Sequence, residues 1–415
     1  MREHPAEQIL VPEAVGPALP LREVVGAIGL GSIALLVTGL MPLLLGALVA
    51  EHRLSDAGIG QTAMLELLSM GLTTALAGLW LKPERLKLIG AVATLALVAA
   101  DLATMGASGS GIFAARVGAG LGEGILLWIT IAMIARTEMP ERWSAIFVTA
   151  TTVVQMLLAP LLTAIVLPRF GASGGYAVLA AVSLPGFVFA VLVSPRYAPL
   201  VKPEGEGGTP PPRGWMALLA TFIFVACFGA VGVYTVPIVE QIGLSAQVAG
   251  AGISASLLGQ VLGGSSAALL AGRVRYLPVF AVGTFCFLGI WTLWALPISG
   301  WVFVASDGFA GFLYMLMLPF VVPMAIEADP SRRAAVLSGA AQVLAGAMGP
   351  LASSFAVSKG DMHGALYLGA GLIVSGTAMM AGMHVIAQRD RARRQLAVVE
   401  PARQATPAFS SDAGA

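Results

Sequence analysis

Long apolar runs are the feature that most constrains this chain. Twelve segments of about 20 residues each carry almost no charge and are bounded by charged residues or turn signals. A helix needs about 20 apolar residues to cross the hydrocarbon core of a bilayer, because each residue advances it by about 1.5 Å. The sequence therefore predicts an all-α integral membrane protein with twelve transmembrane helices. The runs cover residues 24–50, 57–81, 88–106, 111–135, 144–167, 174–194, 214–238, 246–270, 276–297, 301–326, 334–357 and 364–387.

The composition agrees with this class. The 415 residues are 57% hydrophobic and 11% charged, whereas a soluble domain carries about 25% charged residues. The net charge of +1 gives no indication of a nucleic-acid partner. Cys227 and Cys286 both fall in apolar runs, where they act as small apolar residues rather than as a disulfide or metal framework. The sequence thus predicts no cofactor, no metal and no nucleic-acid partner.

Lys and Arg are distributed unevenly between the two sides of the predicted bundle. If the N-terminus is cytoplasmic, nineteen of the 23 Lys and Arg residues fall in segments on that side, and only Arg53, Arg169 and Lys359 fall in loops on the other. Cytoplasmic loops of membrane proteins are enriched in these residues. The sequence therefore predicts a multi-pass protein of the cell (inner) membrane with both termini in the cytoplasm.

A Pro- and Gly-rich segment divides the chain into two halves. Residues 195–213 contain six prolines and three glycines, a composition typical of a linker without helix or strand. Short matches recur 190 residues apart, at the same places in two six-span units: Leu54-Ser55 with Leu244-Ser245, Pro140 with Pro330, and Ala159-Pro160 with Gly349-Pro350. The predicted division is a cytoplasmic tail (1–23), a six-helix bundle (24–194), the linker (195–213), a second six-helix bundle (214–387) and a disordered cytoplasmic tail (388–415).

Local motifs add a resemblance to a known family. Residues 54–60, LSDAGIG, precede the second span, and residues 116–122, RVGAGLG, lie in the fourth. The fifth and eleventh spans contain Ala159-Pro160 and Gly349-Pro350, and the loop at 78–87 keeps a glycine and basic residues, with Lys82 where Asp is usual. Together with the twelve spans, the linker and the repeat, the chain resembles a major facilitator superfamily secondary transporter, whose two pseudo-symmetric six-helix bundles are related by an axis along the membrane normal.

The resemblance implies several properties. Helices one, four, seven and ten are expected to line a central cavity between the halves, with helices three, six, nine and twelve outside. Transport is expected to proceed by alternating access, with the chain functional as a monomer.

Charged residues inside the spans are the main candidates for function. A charge at the bilayer centre costs about 2.5–3.5 kcal/mol on insertion scales, so such residues are typical of substrate and proton pathways. The five that lie well inside are Glu66, Asp101, Arg116, Glu123 and Asp307. Arg116, Gly120 and Glu123 share one helix face, which predicts that this face lines a substrate pathway.

Two of the acids are candidate proton carriers. Glu123 is seven residues from Arg116, whereas favourable helical ion pairs are three or four residues apart, so Glu123 is expected to have another partner. It is the first predicted proton carrier and Glu66 is the second. The alternative for Glu66 is a protonated carboxylic acid that is hydrogen-bonded between helices, and this structural role is the favoured one for Asp101 on its peripheral helix.

Arg116 has a counterpart in the second half. Alignment of the halves at an offset of 191 places Arg116 opposite Asp307 and Gly120 opposite Gly311. The two charged residues are expected to approach across the cavity when the outer side closes and to separate when it opens. The alternative is that Arg116 pairs within the N-terminal half and determines helix packing.

Other candidates are polar, aromatic or helix-packing residues. The polar and aromatic ones either contact substrate or pack between helices: Gln155, Gln342, Trp128, Tyr234 and Tyr314. The packing candidates allow close helix contact or mark bends: Gly120, Gly122, Gly124, Pro160, Gly349 and Pro350.

The excess of acid in the spans favours one function. It predicts a proton-coupled secondary transporter that exports neutral or cationic amphipathic compounds in exchange for protons. The alternative is a proton symporter that takes up an organic anion, with Arg116 binding the carboxylate. An enzyme is not expected, because His4, His52, His363 and His384 form no convergent set with a nucleophile or metal ligands. The predicted partners are a small-molecule substrate, protons and the lipid bilayer.

Overall fold

The computed structural model describes residues 20–137, 140–197, 209–270, 272–329 and 333–404. The described residues form helices, with no β-strand beyond two isolated bridges, Glu84–Arg196 and Ser358–Asp361. Residues 1–19, 198–208 and 405–415 belong to the predicted tails and linker and lie outside the described residues. The first half contains α1 (Leu21–Ala34), α2 (Leu36–Ala50), α3 (Asp56–Trp80), α4 (Leu86–Gly106), α5 (Ser110–Ile134), α6 (Pro140–Leu161), a π-helical segment (Leu162–Val166), α7 (Leu167–Ser183) and α8 (Gly186–Leu192).

The second half repeats this arrangement. It contains α9 (Pro212–Gly232), α10 (Thr235–Gln241), α11 (Ala246–Leu270), α12 (Tyr276–Trp294), α13 (Gly300–Met317), a 3₁₀ segment (Leu318–Phe320), α14 (Val321–Ala328), α15 (Arg333–Ala356) and α16 (His363–Gln404). Helix α16 continues to Gln404, so the segment predicted to be disordered from residue 388 begins as a helix. Its Ala, Leu, Gln and Arg residues have high helix propensity, which outweighs the charge that ended the apolar run.

Twelve crossings follow from these helices. Ten described segments are long and apolar enough to cross a membrane, and one of them, Arg142–Leu192, is 51 residues long. That segment holds two crossings, because the backbone turns at Gly171 (φ 61°, ψ −161°), a conformation that favours glycine. Helix α3 is the remaining crossing: it has 25 residues and packs between α5 and α15. The predicted twelve-helix fold is confirmed.

Two crossings, the first and the seventh, are each broken into two helices. Helices α1 and α2 meet at Leu35, and α9 and α10 meet at Tyr234. A proline lies inside each following helix, Pro42 in α2 and Pro237 in α10, and removes a backbone N–H while its ring crowds the carbonyl four residues earlier. At the first break, the Thr38 hydroxyl and the Thr38 N–H both donate to the Leu35 carbonyl, at 2.7 and 3.2 Å. The breaks therefore have a local cause in the sequence.

The two halves meet along two seams. Helix α3 packs against α15, and α6 packs against α11. We call the end of the bundle where α1 begins and α16 ends the terminal end, and the opposite end the distal end. At the terminal end, the backbone of residues 195–197 pairs with that of residues 83–86, so the start of the linker is held against the loop between α3 and α4.

The halves are in direct contact at the distal end. The Gly60 N–H donates to the phenol oxygen of Tyr234 at 3.3 Å, and a Cβ on Gly60 would overlap the Pro350 carbonyl oxygen. The Gly360 N–H donates to Asp56 Oδ2 at 3.2 Å. The loop that presents Gly360 is itself held by Asp361, whose pKa is lowered by a hydrogen bond from the backbone N–H of His363. This structure is therefore closed at the distal end.

Candidate functional site

A central cavity of about 500 Å³ lies between the two halves. In the first half its lining comes from α2, α3, α6 and the break before α2, and in the second half from α9 to α13 and α15. Helix α5, the fourth crossing, contributes none of the described lining residues, whereas α12, the ninth, contributes several. The expectation that helix four lines the cavity and helix nine lies outside is therefore wrong for this conformation, because the Arg116 face of α5 is turned into its own half.

The wall from the second half is aromatic. Phe228, Phe287 and Tyr314 pack against one another, with ring centroids 4.9 Å apart for Phe228 and Phe287 and 4.7 Å apart for Phe228 and Tyr314. Trp291 packs against Phe287 at 5.4 Å, and Trp294 extends the wall towards the distal end. Tyr314 was a predicted candidate, and the structure places it in this wall. The aromatic wall offers both apolar area and π-faces to a ligand.

Asp307 lies in the same half and lines the cavity. It is on α13, only 6% exposed, and accepts a hydrogen bond from Ser256 on α11. Its Oδ2 atom has no hydrogen-bond partner in the described structure. The described cavity lining contains no other carboxylate and no Lys, Arg or His. Because a buried charge without a partner is costly, Asp307 needs a proton or a cationic ligand.

The wall from the first half is polar but uncharged. The Thr38, Thr151 and Thr152 hydroxyls line the cavity, and each donates to a backbone carbonyl of its own helix turn at 2.7–2.9 Å. Gln155, a predicted candidate, also lines the cavity, and its Nε2 donates to the Leu35 carbonyl at 2.7 Å. The hydroxyl hydrogens of these threonines are therefore committed within the protein, and the Thr38 oxygen also accepts a hydrogen bond from Gln155 Nε2 at 3.3 Å.

A second group of buried charges lies inside the first half, away from the cavity lining. Arg116 on α5 is fully buried; its Nη1 donates to Glu66 Oε1 on α3 at 2.9 Å, and its Nη2 donates to Asp101 Oδ1 on α4 at 2.7 Å. The guanidinium carbon lies 4.9 Å from the ring centroid of Tyr176 on α7, a cation–π distance. We call Glu66, Asp101, Arg116 and Glu123 the buried charge cluster. Through its contacts with Glu66, Asp101 and Tyr176, Arg116 connects four crossings: α3, α4, α5 and α7.

Glycines on α5 make this close arrangement possible. A Cβ on Gly120 would overlap the Ser69 hydroxyl and the Glu66 carbonyl of α3, and one on Gly124 would lie 2.5 Å from the Met70 carbonyl oxygen. On the other side, a Cβ on Gly122 would lie 2.9 Å from the Ala93 carbonyl oxygen of α4. The glycines thus let two helices approach the backbone of α5, which is the type of close contact that small residues allow in membranes.

The predicted pairing of Arg116 with Asp307 is absent from the described structure. Arg116 pairs with two acids of its own half, and Asp307 faces the cavity from the other. The prediction that the Arg116 face lines the substrate pathway is corrected for the same reason. The alternative, pairing within the N-terminal half, agrees with these contacts. Asp101, which was assigned a peripheral structural role, is a direct partner of Arg116.

Among the described contacts, no hydrogen bond or ion pair joins Glu123 to Arg116. Glu123 is 2% exposed, its Oε2 has no hydrogen-bond partner in the described structure, and it lies within electrostatic range of Glu66, Arg116 and Asp101. Glu66 Oε2 is likewise without a partner. Each of these two carboxyl groups thus has one oxygen that can carry a proton without breaking an existing hydrogen bond.

The remaining candidates lie elsewhere. Trp128 is buried in the core of the first half, and Gln342 on α15 is partly exposed and outside the cavity lining. Tyr234 is fully buried at the distal closure rather than in the cavity. Pro160 lies two residues before the π-helical segment of the fifth crossing. A Cβ on Gly349 would overlap the Ala226 carbonyl of α9, while the next residue, Pro350, lines the cavity beside Gly60.

Sequence reasoning missed part of the lining. Ser256 and the three threonines were not singled out, because hydroxyl residues are common in transmembrane helices and their positions carry no charge signal. Gln260 on α11 was not missed: the sequence marks it, like Gln155 and Gln342, as a polar amide in an apolar run that could contact substrate, and it lines the cavity. Among the described residues, no group of three or more His, Cys, Asp or Glu side chains is arranged to hold a metal ion.

Two six-helix halves that enclose a central cavity are the architecture of one class of secondary transporters. The Major Facilitator Superfamily model matches residues 26–354, so the chain belongs to this family and is a transporter rather than an enzyme. No curated protein sequence matches the chain.

Solved structures share this fold. A mutant of the nucleoside transporter NupG superposes with a TM-score of 0.64 at 13% identity, over 88% of this chain and 100% of that chain. A bacterial homolog of the human lysosomal transporter Spinster, inward-facing and occupied, gives a TM-score of 0.59 at 15% identity, over 89% of this chain and 96% of that one. The unoccupied inward-facing form of the same homolog gives a TM-score of 0.56 at 15% identity, over 88% of this chain and 94% of that one. At these identities the likeness concerns the fold.

Proposed function

We propose that this transporter exports neutral or cationic amphipathic compounds in exchange for protons, by alternating access between the two halves. The observation that carries the proposal is the cavity, whose described lining is largely apolar and aromatic and contains one carboxylate, that of Asp307. A cavity of about 300–1,000 Å³ with few polar groups is typical of a small-molecule site, and this one is about 500 Å³.

The buried charge cluster supports proton coupling. Three carboxyl groups surround one guanidinium, and all four side chains are at most 2% exposed. A net negative charge in this environment is expensive, so neutrality requires protons on two of the three carboxyl groups. Glu123 and Glu66 are the proposed carriers, because each has an oxygen without a hydrogen-bond partner. Arg116 then keeps the third carboxyl ionised.

The competing function, uptake of an organic anion, needs Arg116 as a ligand. Both terminal nitrogens of Arg116 already bind carboxylates, and the residue is fully buried away from the cavity lining. An anion would also meet Asp307 in the cavity. The observed contacts therefore favour a neutral or cationic substrate over an organic anion.

Orientation follows from the charge distribution. We propose that the terminal end is cytoplasmic and that the protein lies in the cell (inner) membrane, because the Lys- and Arg-rich segments gather at this end. The distal closure then corresponds to a state that is shut towards the outside, from which substrate enters from the cytoplasm. We propose that the protein functions as a monomer, because transporters of this family usually do.

Transport in proteoliposomes tests this function. With an acidic interior, an antiporter accumulates substrate inside as protons leave, whereas a symporter accumulates substrate only when the interior is alkaline. The panel contains neutral, cationic and carboxylate-bearing aromatic compounds. We expect accumulation of neutral or cationic compounds with an acidic interior. Accumulation of carboxylates alone, with an alkaline interior, would establish the symporter instead.

A further inference from the structure

We propose that the substrates are organic cations with an aromatic body, whose ammonium group donates hydrogen bonds to Asp307. This inference rests on the proposed function and narrows it from neutral or cationic compounds to cations that carry N–H donors. Three observations support it: a buried carboxylate on the described cavity lining without a cationic partner there, an aromatic wall in the same cavity, and a facing wall whose hydroxyl and amide hydrogens are already used.

The carboxylate provides the anchor. Asp307 lines the cavity and is 94% buried, and Ser256 donates a hydrogen bond to its carboxyl group; its Oδ2 atom lies beside Gly252 of α11 and has no hydrogen-bond partner in the described structure. The described cavity lining offers no cationic side chain to neutralise it. A ligand ammonium supplies both the missing positive charge and a donor, and hydrogen bonds between two charged groups are about twice as strong as neutral ones.

The aromatic wall accommodates the rest of the ligand. Phe287, Trp291 and Trp294 on α12 line the cavity together with Asp307 on α13. Trp is the side chain whose ring attracts cations most strongly, and offset or edge-to-face stacking favours an aromatic ligand body. The wall thus selects a flat apolar group attached to the cation.

The wall from the first half, which faces the aromatic wall, can accept hydrogen bonds from a ligand, but its threonine hydroxyls have no free hydrogen to donate. The hydroxyl hydrogens of Thr38, Thr151 and Thr152 are directed to backbone carbonyls, and Gln155 donates its amide N–H to the Leu35 carbonyl. Oxygen lone pairs remain for a ligand. Such a wall favours ligands rich in N–H and O–H donors and disfavours carboxylates, which only accept.

A set of matched fluorescent ligands tests this. Dansylcadaverine carries a primary ammonium on an aromatic body; its N-acetyl derivative is neutral, and the corresponding dansyl-aminohexanoic acid is a carboxylate. We expect the purified protein in lipid nanodiscs to bind the ammonium at least about tenfold more tightly than the acetamide, with the carboxylate weakest. This comparison is made on the unaltered chain and needs no variant.

The variant Asp307→Asn keeps the shape of the side chain and removes its charge. We expect its affinity for the ammonium to fall to that for the acetamide, whose binding stays within about twofold. Glu240→Gln, an acid exposed at the distal end of α10, is the matched control and should bind as the unaltered chain does. Size-exclusion profiles establish that both variants are folded.

Two results overturn the proposal: equal binding of the ammonium and the acetamide, or an unchanged preference in Asp307→Asn. Absence of binding by all three ligands also overturns it. These failures are distinguishable from failure of the proposed function. If an acidic interior still drives accumulation of a neutral compound, the antiporter stands and the cation specificity does not.

Discussion

Arg116 Nη2 donates to Asp101 Oδ1 at 2.7 Å, across the interface between α5 and α4. Both side chains are at most 2% exposed, so the bond is made in a place where no water competes with it. The bond joins Arg116, which the sequence predicted to line a substrate pathway, to Asp101, which the sequence predicted to have a structural role on a peripheral helix. The charge of α5 is thereby neutralised within one half, and the cavity is left with Asp307.

Removal of the cation should destabilise the first half. Arg116→Met leaves Glu66 and Asp101 buried without their partner, and breaking a buried ion pair from one side costs about 3–5 kcal/mol. We expect a marked fall in the thermal unfolding temperature in detergent. The triple variant that adds Glu66→Gln and Asp101→Asn should recover much of the loss. A single variant as stable as the original would contradict the role of the pairs.

Removal of the proposed proton carrier should uncouple transport without unfolding the protein. In Glu123→Gln, the carboxyl group is replaced by a neutral group of the same shape at a site where Oε2 makes no hydrogen bond. We expect accumulation driven by a pH gradient to fall to the level of protein-free vesicles, while exchange of labelled for unlabelled substrate continues. Glu240→Gln serves as the control. Full gradient-driven accumulation in Glu123→Gln would remove this residue from the coupling mechanism.

The tight contact between α5 and α3 should not tolerate a methyl group. In Gly120→Ala, the new Cβ meets the Ser69 hydroxyl and the Glu66 carbonyl, and overpacking of this kind costs about 1–3 kcal/mol. Gly118→Ala on the same helix is the matched control, because its Cβ would lie 3.7 Å from that of Ala100, an ordinary contact. Thermal unfolding should separate the two variants. Equal stability would show that the helices can move apart at no cost.

The distal closure should be weakened by one methyl group. In Gly60→Ala, the Cβ overlaps the backbone carbonyl of Pro350 in the other half, so the halves must separate to accept it. We expect faster labelling of a cysteine at Thr235 by a membrane-impermeant maleimide added from the distal side, in a background without Cys227 and Cys286.

The control for this closure is Gly106→Ala at the distal end of α4, where an added Cβ meets nothing within 4 Å. Its labelling rate should equal that of the parent. If Gly60→Ala also labels at the parent rate, the Gly60–Pro350 contact does not hold the distal end shut.

The crossings could be predicted because each one is a local property of the chain. In lipid, backbone polar groups must be satisfied within the helix, so an apolar run of sufficient length has one structural solution. The places where the apolar runs do not match the helices also have local causes. Helix α16 continues past its apolar run because the next residues retain helix propensity, and α7 turns at Gly171 inside an apolar stretch.

The partners of the buried charges could not be predicted in the same way. Helical periodicity placed Arg116, Gly120 and Glu123 on one face, and the structure agrees that they share it. The neighbour of that face depends on how α5 is rotated about its own axis, and this rotation is decided by the glycines that admit α3 and α4. The alignment of Arg116 with Asp307 at an offset of 191 residues carries no information about this rotation.

The sequence by itself thus determined the all-helical membrane fold, its twelve crossings, the repeat and the identity of the residues that are costly to bury. Only the tertiary structure decided how those residues are grouped. It placed Arg116 among three carboxyl groups of the first half, and it left Asp307 in the cavity beside an aromatic wall. The reason is physical: depth in the bilayer follows from position along one helix, whereas a side-chain contact also requires the rotation and spacing of several helices packed together.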